Sequence, residues 1–470
     1  MNAVTFPGIK FGNVSRLLLT ILVAVVATLN SYALNPIIQT VYTADPAPVV
    51  HDGTLYLYTS HDEEQLVKNF FTMKDWRCFS TTDMVNWTDH GAVATLHDFK
   101  WAGSGWGGGF ENGAWAVQGI ERGGKWYLYC PLQGRGIGVL VADNPLGPFT
   151  DPLGKPLIPN DNIDPTVFID DNGQAYLYWG NPKCCYVKLN KDMTSFDTSI
   201  GNNGVVVLDM TVEQFGKRSK DDPKRLTTYE EGPWLYKRNA LYYLIFAAGP
   251  ISEHLGYSTG PTAEGPWKYG GVVMPSQGGS FTDHPGVVDY KGKTYLFYHN
   301  AALPGGGGFH RSVCVDELTF NPDGSIVSRD MTKDGAPQIG QLNPFTTVQA
   351  ETIGWESGVK TANDKAVGVY VTDVKNGSYV KVCGVDFGKK GAAKFSASVA
   401  SAVGGSAIEL RLDGPEGTLI GTLPVKATGS VNKWKTQTCA VKGATGVHDL
   451  VFKFTGGSEP SLNFDWWKFQ

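Results

Sequence analysis

Three acidic residues sit at one position of a recurring sequence pattern. Asp45 opens a run that reads strand, tight turn, strand and ends at Tyr58. Asp164 opens the same run, one turn residue longer, ending at Tyr178, and Glu231 opens a third that ends at Leu244. His284 heads a fourth copy, to Phe297, and the stretch Trp115-Ala116 to Tyr129 is a fifth with the neutral Ala116 at its head. A lone Asp-Pro is an ordinary turn signal. Acidic heads beside Pro-Val or Pro-Trp in three of five copies are costly unless they face a polar cavity. Carboxylates meeting in one cavity suit glycoside hydrolysis, in which one protonates the leaving oxygen and another works from the opposite face. The acid needs a raised pKa, which apolar surroundings or a neighbouring carboxylate provide. Glu231, between Glu230 and the nearby Trp234, fits that part. Asp45 is then the base that activates water, and Asp164 orients the acid and keeps it protonated.

The elements that must bring these heads together are the hairpins. Five of them, spaced unevenly by about 50–70 residues, predict radially repeated small sheets, a propeller. The first strand of each hairpin lines the axis, so the heads converge at one end of a funnel. Composition agrees: 58 Gly, 20 Tyr, 23 Phe and 13 Trp in 470 residues read as many short strands joined by tight turns. Charged residues make up 18%, too few for a disordered chain. The net charge of -5 comes with no basic cluster, which excludes a nucleic-acid binder.

Residues 34–335 resemble a glycoside hydrolase family 43 catalytic domain. The matching pieces are Thr43-Ala-Asp45-Pro-Ala-Pro, Asn162-Ile-Asp164-Pro-Thr-Val-Phe and Tyr229-Glu-Glu231-Gly-Pro-Trp, with Trp87 in Thr-Thr-Asp-Met-Val-Asn-Trp. The resemblance implies a five-bladed propeller and inverting hydrolysis, with Asp45 as base, Asp164 as pKa modulator and Glu231 as acid. It implies pentose substrates: arabinoxylan, xylo-oligosaccharides and arabinan. His284 corresponds to a family histidine near the axis that often helps to hold a calcium ion through water. Arg311 resembles an arginine that reaches the pocket and bonds sugar hydroxyls. Where relatives often have Trp-Ala-Pro, this chain has Trp115-Ala-Val117, which alters the local wall. Aromatic faces stack on sugar C–H groups, so Trp101 and Trp106, in the glycine-rich loop Phe99 to Phe110, are expected to build that wall. Gly107-Gly-Gly109 lacks the spacing of a nucleotide loop.

Residues 336–345 read as a linker, and 346–470 as a β-sandwich of the jelly-roll kind. This second portion is similar to a family 6 carbohydrate-binding module through Val348-Gln-Ala-Glu351, Val369-Tyr370 and Leu462-Asn463-Phe-Asp465-Trp466. The resemblance places Tyr370 and Asn463 in a sugar cleft, and Glu351 and Asp465 at a structural calcium site. Val431 stands where a stacking tryptophan is usual, with Trp434 nearby.

Residues 1–33 read as a secretory signal: Lys10 and Arg16, an apolar run from Leu17 to Thr28, and a small-x-small site at Ser31-Tyr-Ala33. Its removal takes the formal charge from -5 to -7 and leaves an exported chain with no membrane span, periplasmic or extracellular. The seven cysteines are too scattered for a disulfide scaffold and contain no CxxC pair; Cys383 and Cys439 either pair or stay as buried thiols. The sum of these readings is an all-β secreted enzyme that needs no catalytic cofactor and removes pentosyl groups from hemicellulose. α-L-Arabinofuranosidase on arabinoxylan comes first, then β-xylosidase or a dual activity, and then endo-arabinanase. A non-catalytic binding propeller and a retaining fructosidase on a similar fold are the rivals. A retaining enzyme needs its carboxylates ~5–5.5 Å apart, an inverting one ~6.5–9.5 Å.

Overall fold

A computed structural model describes residues 32–103, 109–160, 162–220, 222–456 and 462–470. Tight turns set the pattern. Asp52 and Gly53 both take positive φ (46° and 74°), as do Lys291 and Gly292 (46° and 81°). Two such residues in a two-residue loop match the twist of the flanking strands, which closes a hairpin. The antiparallel sheets follow in chain order. The first holds β1 (Thr43–His51), β2 (Thr54–His61), β3 (Asp75–Thr81) and β4 (Trp87–Thr95). The second holds β5 (Gln118–Arg122), β6 (Lys125–Leu132), β7 (Gly136–Ala142) and β8 (Ile158–Pro159). The third holds β9 (Thr166–Ile169), β10 (Ala175–Trp179), β11 (Cys185–Leu189) and β12 (Val206–Val207). The fourth is β13 (Tyr229–Arg238), β14 (Leu241–Ala248), β15 (His254–Gly260) and β16 (Lys268–Met274). The fifth is β17 (Gly286–Tyr290), β18 (Lys293–Asn300) and β19 (Ser312–Glu317).

The first strands of these sheets touch one another in turn: β1 meets β5, β5 meets β9, β9 meets β13, β13 meets β17, and β17 meets β1. Large side chains fill the space between sheets, among them the fully buried Trp76, Trp87, Tyr58 and Tyr243. Trp87 packs edge-on against Phe297 of β18. The turn before it is folded by Asp83, whose Oδ1 accepts the N–H groups of Val85 and Asn86.

The C-terminal portion contributes β20 (Val348–Gln349), β21 (Thr352–Ile353), β22 (Trp355–Ser357), β23 (Lys360–Asp364), β24 (Gly368–Thr372) and β25 (Tyr379–Asp386). It continues with β26 (Ala392–Ser401), β27 (Ala407–Leu412), β28 (Thr418–Pro424), β29 (Ser430–Ala444), β30 (Val447–Thr455) and β31 (Leu462–Phe469). One sheet runs β23-β24-β31-β26-β29, with β20 paired to β31; the other runs β22-β25-β30-β27-β28. Phe395, Phe452, Trp467 and Phe469 are buried together in one core. β21 belongs to neither sheet: it pairs with β4 and becomes the fifth strand of the first sheet. Asn86 reinforces the seam, its side chain accepting from the N–H of Cys383 (2.7 Å) and donating to its carbonyl (2.8 Å).

All seven thiols are free, so Cys383 and Cys439 do not pair. Cys383 lies on β25 and Cys439 on β29, in opposite sheets. Of the segment read as a signal, only Tyr32 and Ala33 fall within the described residues; Ala33 is buried and its N–H donates to the carbonyl of Ala336. Among the described residues no helix is long and apolar enough to cross a membrane.

Candidate active site

Asp45 and Asp164 share a local device. Each precedes a proline and each holds a positive φ, 54° and 58°, a conformation that costs energy for a residue with a side chain and gathers at functional sites. In β13 the residue before Pro233 is Gly232, φ 57°, and Glu231 lies one position further upstream. The shared register read from the sequence is therefore displaced by one residue at Glu231. Irregular pairing between Tyr229 and Trp234 absorbs the shift, as the break between Ala44 and Ala47 does in β1.

These residues line one cavity of about 370 Å³, at the low end of the ~300–1,000 Å³ usual for small-molecule sites. Asp45, Asp164, Glu231, His284 and Arg311 all contribute to it, with Phe70, Phe71, Met73, Trp115, Gln133 and Asn181 among the other walls. Ala116, the neutral head, lines it too, and Val117 is turned into the core.

The three carboxyls sit in different electrostatic settings. Burial alone would push Asp45 up, but Arg311 Nη1 donates to its Oδ1 at 2.8 Å and Ser60 Oγ to its Oδ2, and the group is held down at about 2. His299 is lowered to about 3, chiefly by burial. Its Nδ1 accepts from the Asp45 N–H (3.3 Å) and its Nε2 lies 2.8 Å from the Thr282 carbonyl, an arrangement of the neutral ring. His284 is lowered by burial as well, so at neutral pH Arg311 is the cation that keeps Asp45 ionised. Asp164 moves the opposite way: burial raises it strongly, followed by the Glu231 and Asp45 carboxylates. Its Oδ2 accepts the Gly232 N–H at 3.1 Å, which ties it to the strand carrying Glu231. Glu231 is raised by burial and by Asp45, against the opposing pull of an Asn181 N–H and of Arg311 and Arg225. The site thus holds an ionised carboxylate facing two carboxyls biased towards their protonated forms, the division of labour that acid–base catalysis needs. Glu230 is turned away, buried in ion pairs with Arg218 and Arg225.

Arg311 reaches the cavity with its donors committed. Nε and Nη2 go to the buried Asp62 (2.9 and 2.8 Å), and Nη1 serves Asp45 and Thr282. It also stacks 4.7 Å above the Phe71 ring. It acts as a clamp on Asp45 more than as a free donor to sugar.

Trp101 is not among the lining residues. Its indole N–H donates to Asp151 (3.0 Å) and its ring packs edge-on against Phe99, both rings covering Gly138. The glycine-rich loop suggested an exposed wall, but the aromatics near its start are needed to cover the second sheet. Trp106 lies outside the described residues. The wall is supplied instead by Phe70, Phe71 and Trp115, with Phe309 tilted against Phe70 and edge-on to Phe71.

Asp62, Gln133, Asn181 and His299 are functional candidates absent from the sequence reading. All lie at or just past the end of a second hairpin strand. An antiparallel hairpin returns that end to the level of the first strand's head, so the same spacing argument, extended by one strand, reaches them.

In the C-terminal portion, Tyr370 meets Trp434 edge-on with ring centroids 5.1 Å apart. Asn463 lies on the adjoining strand, its Oδ1 accepting from Thr372 (2.7 Å) and its Nδ2 donating to the carbonyl of Val431 (2.9 Å). Both ends of its amide are therefore already engaged. Glu351 and Asp465 are each 5% exposed. Glu351 Oε2 is buried without a hydrogen-bond partner, and burial pushes the group up to about 9, with Asp89 and Asp465 adding like charge. An orphaned carboxylate oxygen facing a second carboxylate fits a hard, oxygen-liganded cation.

The sequence matches the family Glycosyl hydrolases family 43 over residues 33–326 and the Carbohydrate binding module (family 6) over residues 349–470. It is 35% identical to the arabinoxylan arabinofuranohydrolase of Bacillus subtilis (strain 168), across 93% of this chain and 92% of that protein. It is 32% identical to a xylosidase/arabinosidase of Bacteroides ovatus, across 61% of this chain and 94% of that one. Among solved structures, a Bacillus subtilis arabinoxylan arabinofuranohydrolase in complex with cellotetraose superposes with a TM-score of 0.78 at 33% identity, covering 94% of this chain and 99% of that one.

Proposed function

The chain belongs to glycosyl hydrolases family 43, and from that premise we propose that it removes α-L-arabinofuranosyl branches from arabinoxylan with inversion at the anomeric carbon. The observation that carries this reading is the opposed pair within one cavity: Asp45 held ionised by Arg311, and Glu231 pushed towards its protonated form. Glu231 gives its proton to the glycosidic oxygen as the bond from that oxygen to the anomeric carbon breaks. A water attacks the opposite face of the sugar and passes its proton to Asp45. The products are arabinose and the freed hydroxyl of the main chain, and solvent exchange returns the proton from Asp45 to Glu231. Asp164 supports the acid by fixing the Gly232 amide beside Glu231, and it is itself a buried carboxyl biased towards the protonated form. His284, neutral and lining the same cavity, is assigned to substrate contact.

The circuit of touching first strands supports a propeller of five blades, with the cavity at one end of its axis. The similarity to an arabinoxylan arabinofuranohydrolase over nearly the whole chain favours the arabinosyl branch as substrate. β-Xylosidase activity in the same pocket is the second reading, favoured by the similarity to a xylosidase/arabinosidase. The C-terminal module is assigned to the same cell-wall polysaccharide, with Tyr370 and Trp434 as its aromatic surface, and Glu351 and Asp465 to structural calcium. Export follows from the composition of residues 1–33.

Proton NMR of the protein acting on wheat arabinoxylan and on xylo-oligosaccharides tests the substrate and the inversion. The expected first product is free arabinose as its β-anomer, before mutarotation. Release of the α-anomer would replace inversion with retention, and xylose alone would promote the second reading.

A further inference from the structure

Asn181 follows Gly180, just past the end of β10, and its amide lies between a carboxyl and a guanidinium. Nδ2 donates to Oε2 of Glu231, and Oδ1 accepts from Arg225 Nη2 at 2.9 Å. An arginine can only donate, so Arg225 fixes which end of the amide is oxygen and leaves the N–H end facing Glu231. Arg225 is held in turn by Glu230, the neighbour of Glu231. The loop is fastened a third time, by the Tyr229 hydroxyl donating to the Gly180 carbonyl at 2.9 Å. Tyr229, Glu230 and Glu231 are consecutive on β13, so one strand carries both the acid and the anchors of the loop that touches it.

We propose that Asn181 is a positioning residue for the reaction: locked by Arg225, it holds Oε2 of Glu231 as a hydrogen-bond acceptor and so assigns proton delivery to Oε1. This rests on Glu231 being the acid of the proposed function. As the proton leaves Oε1, negative charge grows over the carboxyl and the N–H on Oε2 binds it more strongly. An interaction stronger in the transition state than in the ground state accelerates the chemical step. Glu231 is also faced by Asp164 from the start of the third sheet, Asp45 from β1, Arg311 from β19's approach, Glu253 from the approach to β15 and His284 beside Gly232. Asn181 and the two arginines are the groups that favour the ionised form.

The test uses the full chain with Asn181→Ala, Asn181→Asp and Arg225→Lys. Asn181 is exposed at the cavity mouth, and thermal melting verifies that each variant is folded. For Asn181→Ala, kcat on arabinoxylan oligosaccharides should fall on the order of 10–100-fold, part of the ~10²–10⁴ that general acid catalysis supplies. On 4-nitrophenyl α-L-arabinofuranoside, whose leaving group needs little protonation, the loss should stay under about 3-fold. The alkaline limb of kcat should move to higher pH, because a donor favouring the ionised acid has been removed. Asn181→Asp should move it further, by adding like charge. Arg225→Lys keeps a cation but not the two-nitrogen reach to Asn181 and Glu230, so it should lose rate in the same direction as Asn181→Ala and by less. Equal losses on both substrates with an unmoved alkaline limb would overturn the proposal and make Asn181 a wall residue only. A wild-type protein that releases no arabinose overturns the proposed substrate instead, and the limb comparison then runs on whichever aryl glycoside it cleaves.

Discussion

Arg311 bridges two carboxylates at equal reach, Asp45 Oδ1 and Asp62 Oδ1 each 2.8 Å from one of its terminal nitrogens. Asp62 is fully buried and has no part in the cavity lining, so it acts on the chemistry only through the arginine. Asp62→Asn should therefore lower kcat/KM by roughly 10–100-fold without touching substrate. Removing one partner of a buried ion pair should also cost about 3–5 kcal/mol of stability. Calorimetry and initial rates check both, and an active, equally stable variant would detach Asp62 from the site.

The pH profile follows from the same contact. The base must be ionised, so activity is lost as pH falls through the pKa of Asp45, which is held at about 2. No acidic limb from Asp45 is expected above about pH 3. Arg311→Met removes the cation, and burial then raises Asp45; the acidic limb should climb into the accessible range. A profile that keeps its shape in this variant contradicts Asp45 as the base.

Glu231→Gln should abolish proton donation while leaving the fold intact. Natural arabinosides should lose about 10²–10⁴-fold and activated aryl arabinosides much less. Equal losses on both refute the acid role.

Asp164 is raised by burial and by its carboxylate neighbours. A carboxyl whose folded pKa lies above its unfolded value destabilises the fold as pH rises from the unfolded value through the folded one. Asp164→Asn should thus raise the melting midpoint more at pH 8 than at pH 3, where the carboxyl is largely protonated in either state, its unfolded value being about 3.9. The same variant should lose at least roughly 100-fold in kcat. An equal shift at both pH values would mean that Asp164 is not perturbed.

Calcium is expected to raise the melting midpoint of the full chain, and chelator to lower it. At a concentration 100 times its Kd a ligand bound only by the folded state adds about 2.7 kcal/mol. Glu351→Gln should erase the difference; a midpoint indifferent to calcium in the wild type removes the metal from Glu351 and Asp465.

The Xaa-Pro heads of the hairpins mark two of the three carboxyls that line the cavity, because one local backbone device recurs at Asp45 and Asp164 and leaves a mark in the sequence. The offset at Glu231 was hidden: a bulge changes register without changing residue type. The acidic-head pattern marks only where each hairpin starts, whereas Asp62 and Asn181 lie where a hairpin ends. An aromatic beside glycines looks the same in sequence whether it walls a pocket or, like Trp101, covers a sheet. The seam between the two portions was unreadable, since Thr352-Ile353 is too short to betray its partner across more than 250 residues of chain.

That seam has a mechanical meaning. With β21 stitched into the first sheet and Asn86 holding Cys383 by its backbone, the C-terminal module is denied the sweep of a tethered anchor. A flexible leash raises the local concentration of every branch within its radius. A fixed mount works as a ruler: a polymer gripped by the module would present to the funnel only the branches lying at one set distance and rotation along its axis. The spacing of branches left uncut on a partly digested chain would then record the geometry of the protein that cut it.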